Sequence, residues 1–291
     1  MDCQNGWRSM LKPTHPTIIM AAGKGSRMKA QTSDDPAALQ EAGSRPKAMI
    51  RIGPDRTPLL AVLLNRLVQE GSRCACVVIS ATDDITSQHF RDHPVAHLQL
   101  SFVRQPIPKG RDKPLGTAHA VQLGLEAHPE WKGESVTVAN GDNLPPRGLF
   151  SKLFQFSAAL PAMDRDHLGL PAKRVEAFAV IAVDEHQNPT DIIEKPSAQT
   201  VEANRWPDGT IRVSMNTFRL PYKDLLDSVT HVSEHPKRKE KELPTAVASW
   251  AKKTGLLQAI PMAGAFLDLT HPSDIHIASQ SLQNGGHRLK N

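Results

Sequence analysis

Short runs that are apolar at every position alternate with amphipathic stretches through the first half of the chain. Thr17-Ile18-Ile19-Met20-Ala21-Ala22 is one such run, and it breaks at Gly23-Lys24-Gly25-Ser26-Arg27. A strand running into a glycine turn is expected there. Between Pro58 and Glu70, the positions of Leu59, Leu60, Val62, Leu63, Leu64, Leu67 and Val68 give a helix with a wide apolar face, closed by Gly71. CACVVIS (74–80) reads as a buried strand, 83–90 as a helix, LQLSFVR (98–104) as a strand, and a helix begins near Gly116-Thr117. SVTVAN (135–140) is another strand, stopped by Gly141-Asp142. Residues 30–46, rich in Ser, Asp, Pro and Gly, are expected to form an exposed loop. Strands alternating with helices at this spacing imply parallel strands joined by right-handed crossovers, with ligands collecting at the strands' carboxyl ends.

The pattern changes in the second half. Residues 175–184, 190–195 and 210–220 are closely spaced strand-like runs, followed by helices over 221–229 and 240–253 and strands in LLQAIPM and GAFLDL. HVSEHPKRKEKE (231–242) is a charge run in which acidic residues interrupt basic ones, so a solvated loop or helix face fits better than a nucleic-acid site. The expected fold class is α/β: a Rossmann-like, mostly parallel mixed sheet flanked by helices, with a β-rich subregion in the second half.

Composition narrows this modestly. A chain of 291 residues suits one large α/β domain with embellishments. Only 4% of residues are aromatic, too few to supply the stacking platforms of a single-stranded nucleic-acid binder. Thirty-five basic and 30 acidic residues leave a charge of +5, which suits a polyanionic small substrate and equally an ordinary soluble protein. Three cysteines make no even disulfide framework and point to a reducing compartment. Cys74 and Cys76 on one strand face read as core, because no CxxC or histidine partner accompanies them. No stretch approaches the ~20 apolar residues of a membrane helix, and the first 16 residues hold no signal-like apolar run. A cytoplasmic protein with no membrane and no nucleic-acid partner is expected.

The segment AAGKGSRM (21–28) carries the most chemistry. Glycines after a strand let backbone N–H groups approach a phosphate chain, and Lys24 and Arg27 add positive charge. A Rossmann dinucleotide fingerprint needs a third glycine where Met28 stands, and an acidic residue at the end of a second strand. That counts against an NAD-dependent dehydrogenase; a P-loop motif is absent as well. A tight turn with incidental basic residues is the plain alternative. Arg45-Pro46-Lys47-Ala48-Met49 follows, and Lys47 can reach back over the same loop as a point charge for phosphate.

In order along the chain, AAGKGSRM, PKAM, LGTAHAV, NGDN, IIEKP, MNTF and FLDLTHPSDI resemble the motifs of the sugar-1-phosphate nucleotidylyltransferases, over residues 17 to about 277. The resemblance implies one domain over 1–291, with a nucleotide-binding half at about 16–145, a sugar-phosphate-binding half at about 146–280, and loose termini at 1–12 and 284–291. It implies that Ala22, Gly23, Lys24, Gly25, Ser26 and Arg27 wrap the triphosphate and that Lys47 contacts phosphate. Gln105, Gly116 and Thr117 correspond to positions that meet base and ribose. Asp142 and Asp268 correspond to Mg²⁺ ligands, and Glu194, Lys195 and Asn216 to residues that hold the sugar and its phosphate. Arg27, Lys47 and Asp142 are the catalytic candidates. Two stretches, 29–45 and 105–115, are longer than in typical relatives.

The chemistry implied is in-line attack of a sugar 1-phosphate oxygen on the α-phosphorus of an NTP, which positioning and charge neutralisation can catalyse without an enzyme nucleophile. Mg²⁺ takes few carboxylates plus phosphate oxygens. An Asx turn is the alternative reading of Asp142, and a helix N-terminal carboxylate that of Asp268. UTP and dTTP are the favoured nucleotides, with GTP and CTP open; a homo-oligomer is one of the assembly states left open. Two rivals keep the fold but change the chemistry: a cytidylyltransferase-like enzyme with a non-sugar acceptor, and a non-catalytic nucleotide-binding regulator. His119 is expected to support helix packing or the nucleotide side; His89, His93 and His97 read as surface residues.

Overall fold

The computed structural model describes residues 14–23, 28 and 36–283. Its strands are β1 (Thr17–Ala21), β2 (Arg51–Ile52), β3 (Thr57–Pro58), β4 (Cys74–Ser80), β5 (Gln99–Gln105), β6 (Ser135–Asn140), β7 (Asn143–Leu144), β8 (Ala159–Asp164), β9 (Ala179–Val183), β10 (Pro189–Ile193), β11 (Arg212–Ser214), β12 (Phe218–Pro221), β13 (Gln258–Met262) and β14 (Leu267–Asp268). The helices are α1 (Pro36–Ser44), α2 (Leu59–Gln69), α3 (Asp84–Asp92), α4 (Thr117–Glu126), α5 (Leu149–Leu153), α6 (Ala172–Val175), α7 (Ala198–Ala203), α8 (Tyr222–His231), α9 (Leu243–Thr254) and α10 (Asp274–Gln283). No helix among the described residues is long and apolar enough to cross a membrane.

Ten strands form one mixed sheet in the order β10-β9-β11-β8-β12-β6-β1-β4-β5, with β13 added beside β8. The strands of the first half, β6, β1, β4 and β5, run parallel. The second half adds antiparallel pairs, apart from the parallel pair of β13 with β8. Both faces of the parallel part are covered, which explains runs with no polar alternation. On β4, Ala75, Val77 and Ile79 pack into one core cluster and Cys74, Cys76 and Val78 into the other. The two cysteines therefore share a strand face in the core, and burial pushes their thiols up in pKa, Cys76 to about 11. Helix α2 supplies the first cluster with Leu59, Leu60, Leu63, Leu64 and Leu67, and α4 supplies the second with Ala118, Val121 and Leu125.

Three stretches differ from the sequence expectation. Within 30–46, residues 36–44 form α1, because Ala38, Glu41 and Ala42 bury one side of it. The run 210–220 is two strands separated by a turn in which Asn216 takes φ +55°, a left-handed conformation that Asn tolerates better than most residues. Of the strand-like run 175–184, residues 179–183 are strand, and the one-turn helix α6 ends at Val175. β8 is not among the strands expected from the sequence, although Ala158-Ala159-Leu160-Pro161-Ala162-Met163 is a continuous apolar, buried run; Pro161 in its middle reads against a central strand. His93 and His97 are exposed, while His89 is half-buried.

Candidate active site

A cleft of about 680 Å³ opens at the carboxyl ends of the parallel strands. Ala22, Gly23, Lys47, Gln105, Gly116, Thr117, Asp142, Glu194, Lys195 and Asn216 all line it. Residues separated by up to 194 positions thus meet at one cavity. Lys24, Gly25, Ser26 and Arg27 lie outside the described residues, as do the termini at 1–12 and 284–291.

Asp142 reaches its place through a glycine. Gly141 N–H donates to Met20 O at 2.9 Å, and a Cβ there would sit 3.1 Å from both Ala21 Cβ and Ile19 Cγ2. The close approach of β6 to β1 brings the next residue to the mouth of the cleft. Lys47, on a single 3₁₀ turn (Lys47–Met49), donates from Nζ to Asp142 Oδ2 at 2.5 Å. The pair is partly covered, with side chains 17% and 28% exposed, so it is screened less than a surface ion pair.

Asp268 does not line the cleft; it stands behind Asp142 on β14, which pairs with β7 so that Asp268 faces Asn143. Oriented by its hydrogen-bond network, the Asn143 side-chain nitrogen donates to Asp142 Oδ1 at 3.1 Å and to Asp268 Oδ1 at 3.0 Å. One oxygen of each carboxylate therefore meets the same Asn143 amide nitrogen. The other oxygen of Asp268 accepts from Arg174 Nη2 at 2.8 Å and Thr270 Oγ1 at 3.1 Å. Arg174 also meets Asp274 at 3.0 Å, and Asp274 accepts the backbone N–H groups of Thr270 (2.6 Å) and His271 (2.7 Å). Burial alone would lower the guanidinium pKa; the Asp268 and Asp274 carboxylates outweigh it and raise the pKa. Among the described residues no three His, Cys, Asp or Glu side chains gather into a metal site; the convergent carboxylates are two.

At the β5 side of the sheet, Gln105 is buried and its Nε2 donates to Gly116 O at 2.8 Å. His119 Nδ1 lies 3.4 Å from the same nitrogen, and burial lowers its pKa, keeping the ring neutral near pH 7. Gly116 caps α4 with φ +106° and ψ −174°. Thr117 Oγ1 accepts from Leu243 N at 2.9 Å. At the β10 side, Lys195 and Asn216 both take left-handed backbone, φ +48° and +55°; such strain in non-glycine residues persists where the surroundings fix it. The Glu194 side chain keeps contact with solvent, yet lost hydration and then the charge of Glu242 push its carboxyl above the usual range, against Arg238 and Lys195.

Sequence reasoning missed part of this wall. Lys113, Arg238, Glu240 and Glu242 also line the cleft. The charge run 231–242 is folded onto the 106–115 loop: Arg111 pairs with Glu234 at 3.3 Å and bonds the Lys239 carbonyl, Lys113 pairs with Glu240, and Arg238 pairs with Glu242 at 2.7 Å. Both stretches are more basic than acidic, so net charge gave no signal; the pairs form between individual residues, Glu234 and Glu240 with Arg111 and Lys113. For Arg174, 94 positions from Asp268, no local signal existed.

An α/β sheet with a charged cleft over its strand ends, bordered by Gly23 after β1, defines a nucleotide-handling enzyme of the doubly wound type. The chain belongs to the nucleotidyl transferase family, whose model matches residues 16–285. It is similar to a UTP–glucose-1-phosphate uridylyltransferase (AglF) of Haloferax volcanii, 24% identical over 271 residues covering 91% of this chain and 96% of that one. It is also similar to glucose-1-phosphate adenylyltransferase 2 of Vibrio vulnificus, 24% identical over 185 residues, 62% of this chain and 43% of the relative. Among solved structures, HddC of Yersinia pseudotuberculosis shares the fold with TM-score 0.62 at 20% identity, over 92% of this chain and 99% of that one. Its complex with GMP-PN gives TM-score 0.63 at 19% identity, with the same coverage.

Proposed function

We propose that the chain transfers a nucleotidyl group from an NTP to a sugar 1-phosphate, giving an NDP-sugar and pyrophosphate with Mg²⁺ as cofactor. The observation that carries this is the Lys47–Asp142 pair in a cleft that runs from Gln105, the last residue of β5, to Glu194, after β10, at opposite edges of one sheet. A base at one side and a sugar at the other bring the α-phosphorus and the attacking phosphate oxygen over the centre. That oxygen forms the new P–O bond as the bond to pyrophosphate breaks, so orientation and charge neutralisation are what the protein must supply. The Lys47 ammonium offers a point charge to phosphate oxygens, and Gly23 lines the same space. Glu194 and Asn216 offer an acceptor and an amide to sugar hydroxyls.

The donor set fits Mg²⁺. It is oxygen only: the Oδ1 atoms of Asp142 and Asp268 converge where the Asn143 amide nitrogen sits, and turning that amide over would present its carbonyl oxygen there, with the remaining positions left to water and substrate phosphate, as in Mg²⁺ sites. Asp142 and Asp268 would hold the ion, which supplies Lewis-acid neutralisation of phosphate charge when bound.

The base end supports UTP or dTTP. Gln105 commits its nitrogen to Gly116 O, leaving its amide carbonyl as the group to meet a base. A carbonyl accepts from N3–H of uracil or thymine, or N1–H of guanine, and meets a lone pair on N3 of cytosine or N1 of adenine. The uridylyl specificity in the name of the Haloferax relative points the same way.

The test is pyrophosphate release across five NTPs and a panel of sugar 1-phosphates, with Mg²⁺ and with chelator. Release that requires one NTP, one sugar phosphate and the metal is the expected result. Nucleotide binding without release from any sugar phosphate would overturn the sugar reading and favour a non-sugar acceptor or a binding-only role.

A further inference from the structure

We propose that Glu41 is a positioning residue for Lys47: one buried carboxylate grips the chain on both sides of the turn that carries the lysine. Helix α1 buries Glu41 to 6% exposure beside Ala38 and Ala42. Arg45, two residues before Lys47, lies 3.1 Å from Glu41 Oε1 through Nε as an ion contact without hydrogen-bond geometry. Arg51, four residues after it, donates its backbone N–H at 3.1 Å, its Nε at 2.9 Å and its Nη2 at 2.8 Å. Arg56 adds an outer contact at 2.9 Å. Between the two grips, the 3₁₀ turn holds itself by only two backbone bonds, Met49 N to Pro46 O at 2.8 Å and Ile50 N to Lys47 O at 3.3 Å. Buried Ala48, Met49 and Ile50 fix its depth, while Glu41 fixes both its ends. Glu41 touches neither Lys47 nor Asp142, so its effect passes through the backbone. Burial alone would raise its pKa, but Arg51 and Arg45 lower it and keep the carboxylate ionised.

The kinetic part of the test rests on the nucleotidyl-transfer reading; the labelling part does not. In the full-length protein, the rate at which a water-soluble acylating reagent modifies Lys47 is measured by mass spectrometry in wild type, Glu41→Gln, Arg51→Lys and Arg56→Ala. In the wild type, Lys47 is protected by partial burial and by Asp142. Glu41→Gln is expected to raise the labelling rate about tenfold, the scale of losing a hydrogen bond to a charged partner. The same variant should lower kcat by about 10- to 100-fold, as a misplaced catalytic group does, with KM for the sugar phosphate unchanged. Arg51→Lys moves both readouts the same way by less and decides the matter if Glu41→Gln does not fold. Arg56→Ala, which removes the outer contact alone, should match the wild type. Unchanged Lys47 labelling in Glu41→Gln or Arg51→Lys overturns the proposal, and so does Arg56→Ala behaving like Glu41→Gln. If the wild type releases no pyrophosphate, the functional reading fails and the labelling result alone judges Glu41.

Discussion

Gly116→Ala should damage stability and nucleotide affinity together, because two separate geometric demands meet at that residue. Its φ of +106° and ψ of −174° fall in a region used almost only by glycine, which costs another residue about 1–3 kcal/mol. An added Cβ would also lie 2.5 Å from Lys241 O and 3.0 Å from both Lys241 N and Glu240 Cβ. Backbone cannot yield as a flexible side chain can, so the 231–242 segment must shift. That shift strains the bonds from Lys241 N to Leu115 O (2.6 Å) and from Ala118 N to Lys241 O (3.0 Å), each contributing about 0.5–1.5 kcal/mol. A total near 3 kcal/mol lowers the unfolding midpoint by about 6 °C for a chain of this size. Moving the Gly116 carbonyl also frees the Gln105 amide, so KM for the NTP should rise about tenfold, the effect of about 1.4 kcal/mol. Scanning calorimetry and initial-rate kinetics measure the two effects. Gly110→Ala is the control: φ is +80° there, but nothing lies within 4 Å of an added Cβ, so only the backbone cost applies and KM stays put. A Gly116→Ala protein that melts within about 1 °C of wild type with normal KM would refute the reasoning.

Asp142→Asn removes a charge aimed at the reacting phosphates and should cut turnover at least ~100-fold with the fold intact by circular dichroism; undiminished turnover takes Asp142 out of the mechanism. Arg174→Ala leaves Asp268 and Asp274, 15% and 11% exposed, without their guanidinium, and should cost about 3 kcal/mol in urea denaturation. A loss under about 1 kcal/mol would show that water replaces the arginine fully. Glu194 has a raised pKa, so the folded state keeps its proton at pH values where the unfolded chain, titrating near 4.5, has lost it. Its contribution to stability is therefore full below pH 4.5 and falls as pH rises through the raised value. The melting temperature of Glu194→Gln minus that of wild type should increase across that window; a flat difference would mean the carboxyl is not perturbed.

How much of this the sequence displayed depended on whether the signal was local. The strands β1 and β4 and helix α2 were legible because β1 and β4 are buried on both faces and almost wholly apolar, and α2 has a wide apolar face; β5, at the sheet edge, and β6 were legible as shorter apolar runs between polar residues. Ala22, Gly23, Asp142, Glu194 and Lys195 were legible as motifs because each lies just past a strand end, whereas Lys47 stands on a turn after α1 and was legible from its Pro-Lys pattern. Helix α1 was hidden: its polar surface and neighbouring glycine, proline and serine look like loop, and the side that Ala38, Glu41 and Ala42 bury includes a carboxylate that counts as exposed until it meets arginines at 45, 51 and 56. The turn at Asn216 was hidden because Val213, Met215 and Phe218 on either side are as apolar as a strand, and only the backbone sign reverses there. The 231–242 segment looked solvated because its charges were counted alone. Their partners, Arg111 and Lys113, are more than 100 positions away.

The location of the Lys47–Asp142 pair follows from the winding of the sheet. From β1 the chain adds β4 and then β5 on one side; it then returns to place β6 on the other side of β1. Loops leaving β1 and β6 therefore diverge, and the gap between them is the one place on the parallel strands that no crossover covers. Ala22 and Gly23 leave β1 at that gap, and Asp142 leaves β6 beside them. β6 is also the seam of the whole sheet, parallel to β1 and antiparallel to β12. Every strand on the far side of that seam belongs to the second half, which is why Glu194 and Asn216 arrive from one direction and Gln105 from the other. On the proposed reading, a substrate pair bridging the seam would place its reacting phosphates over β1 and β6, where Asp142 leaves a strand end that the winding leaves open and Lys47 reaches it from its 3₁₀ turn.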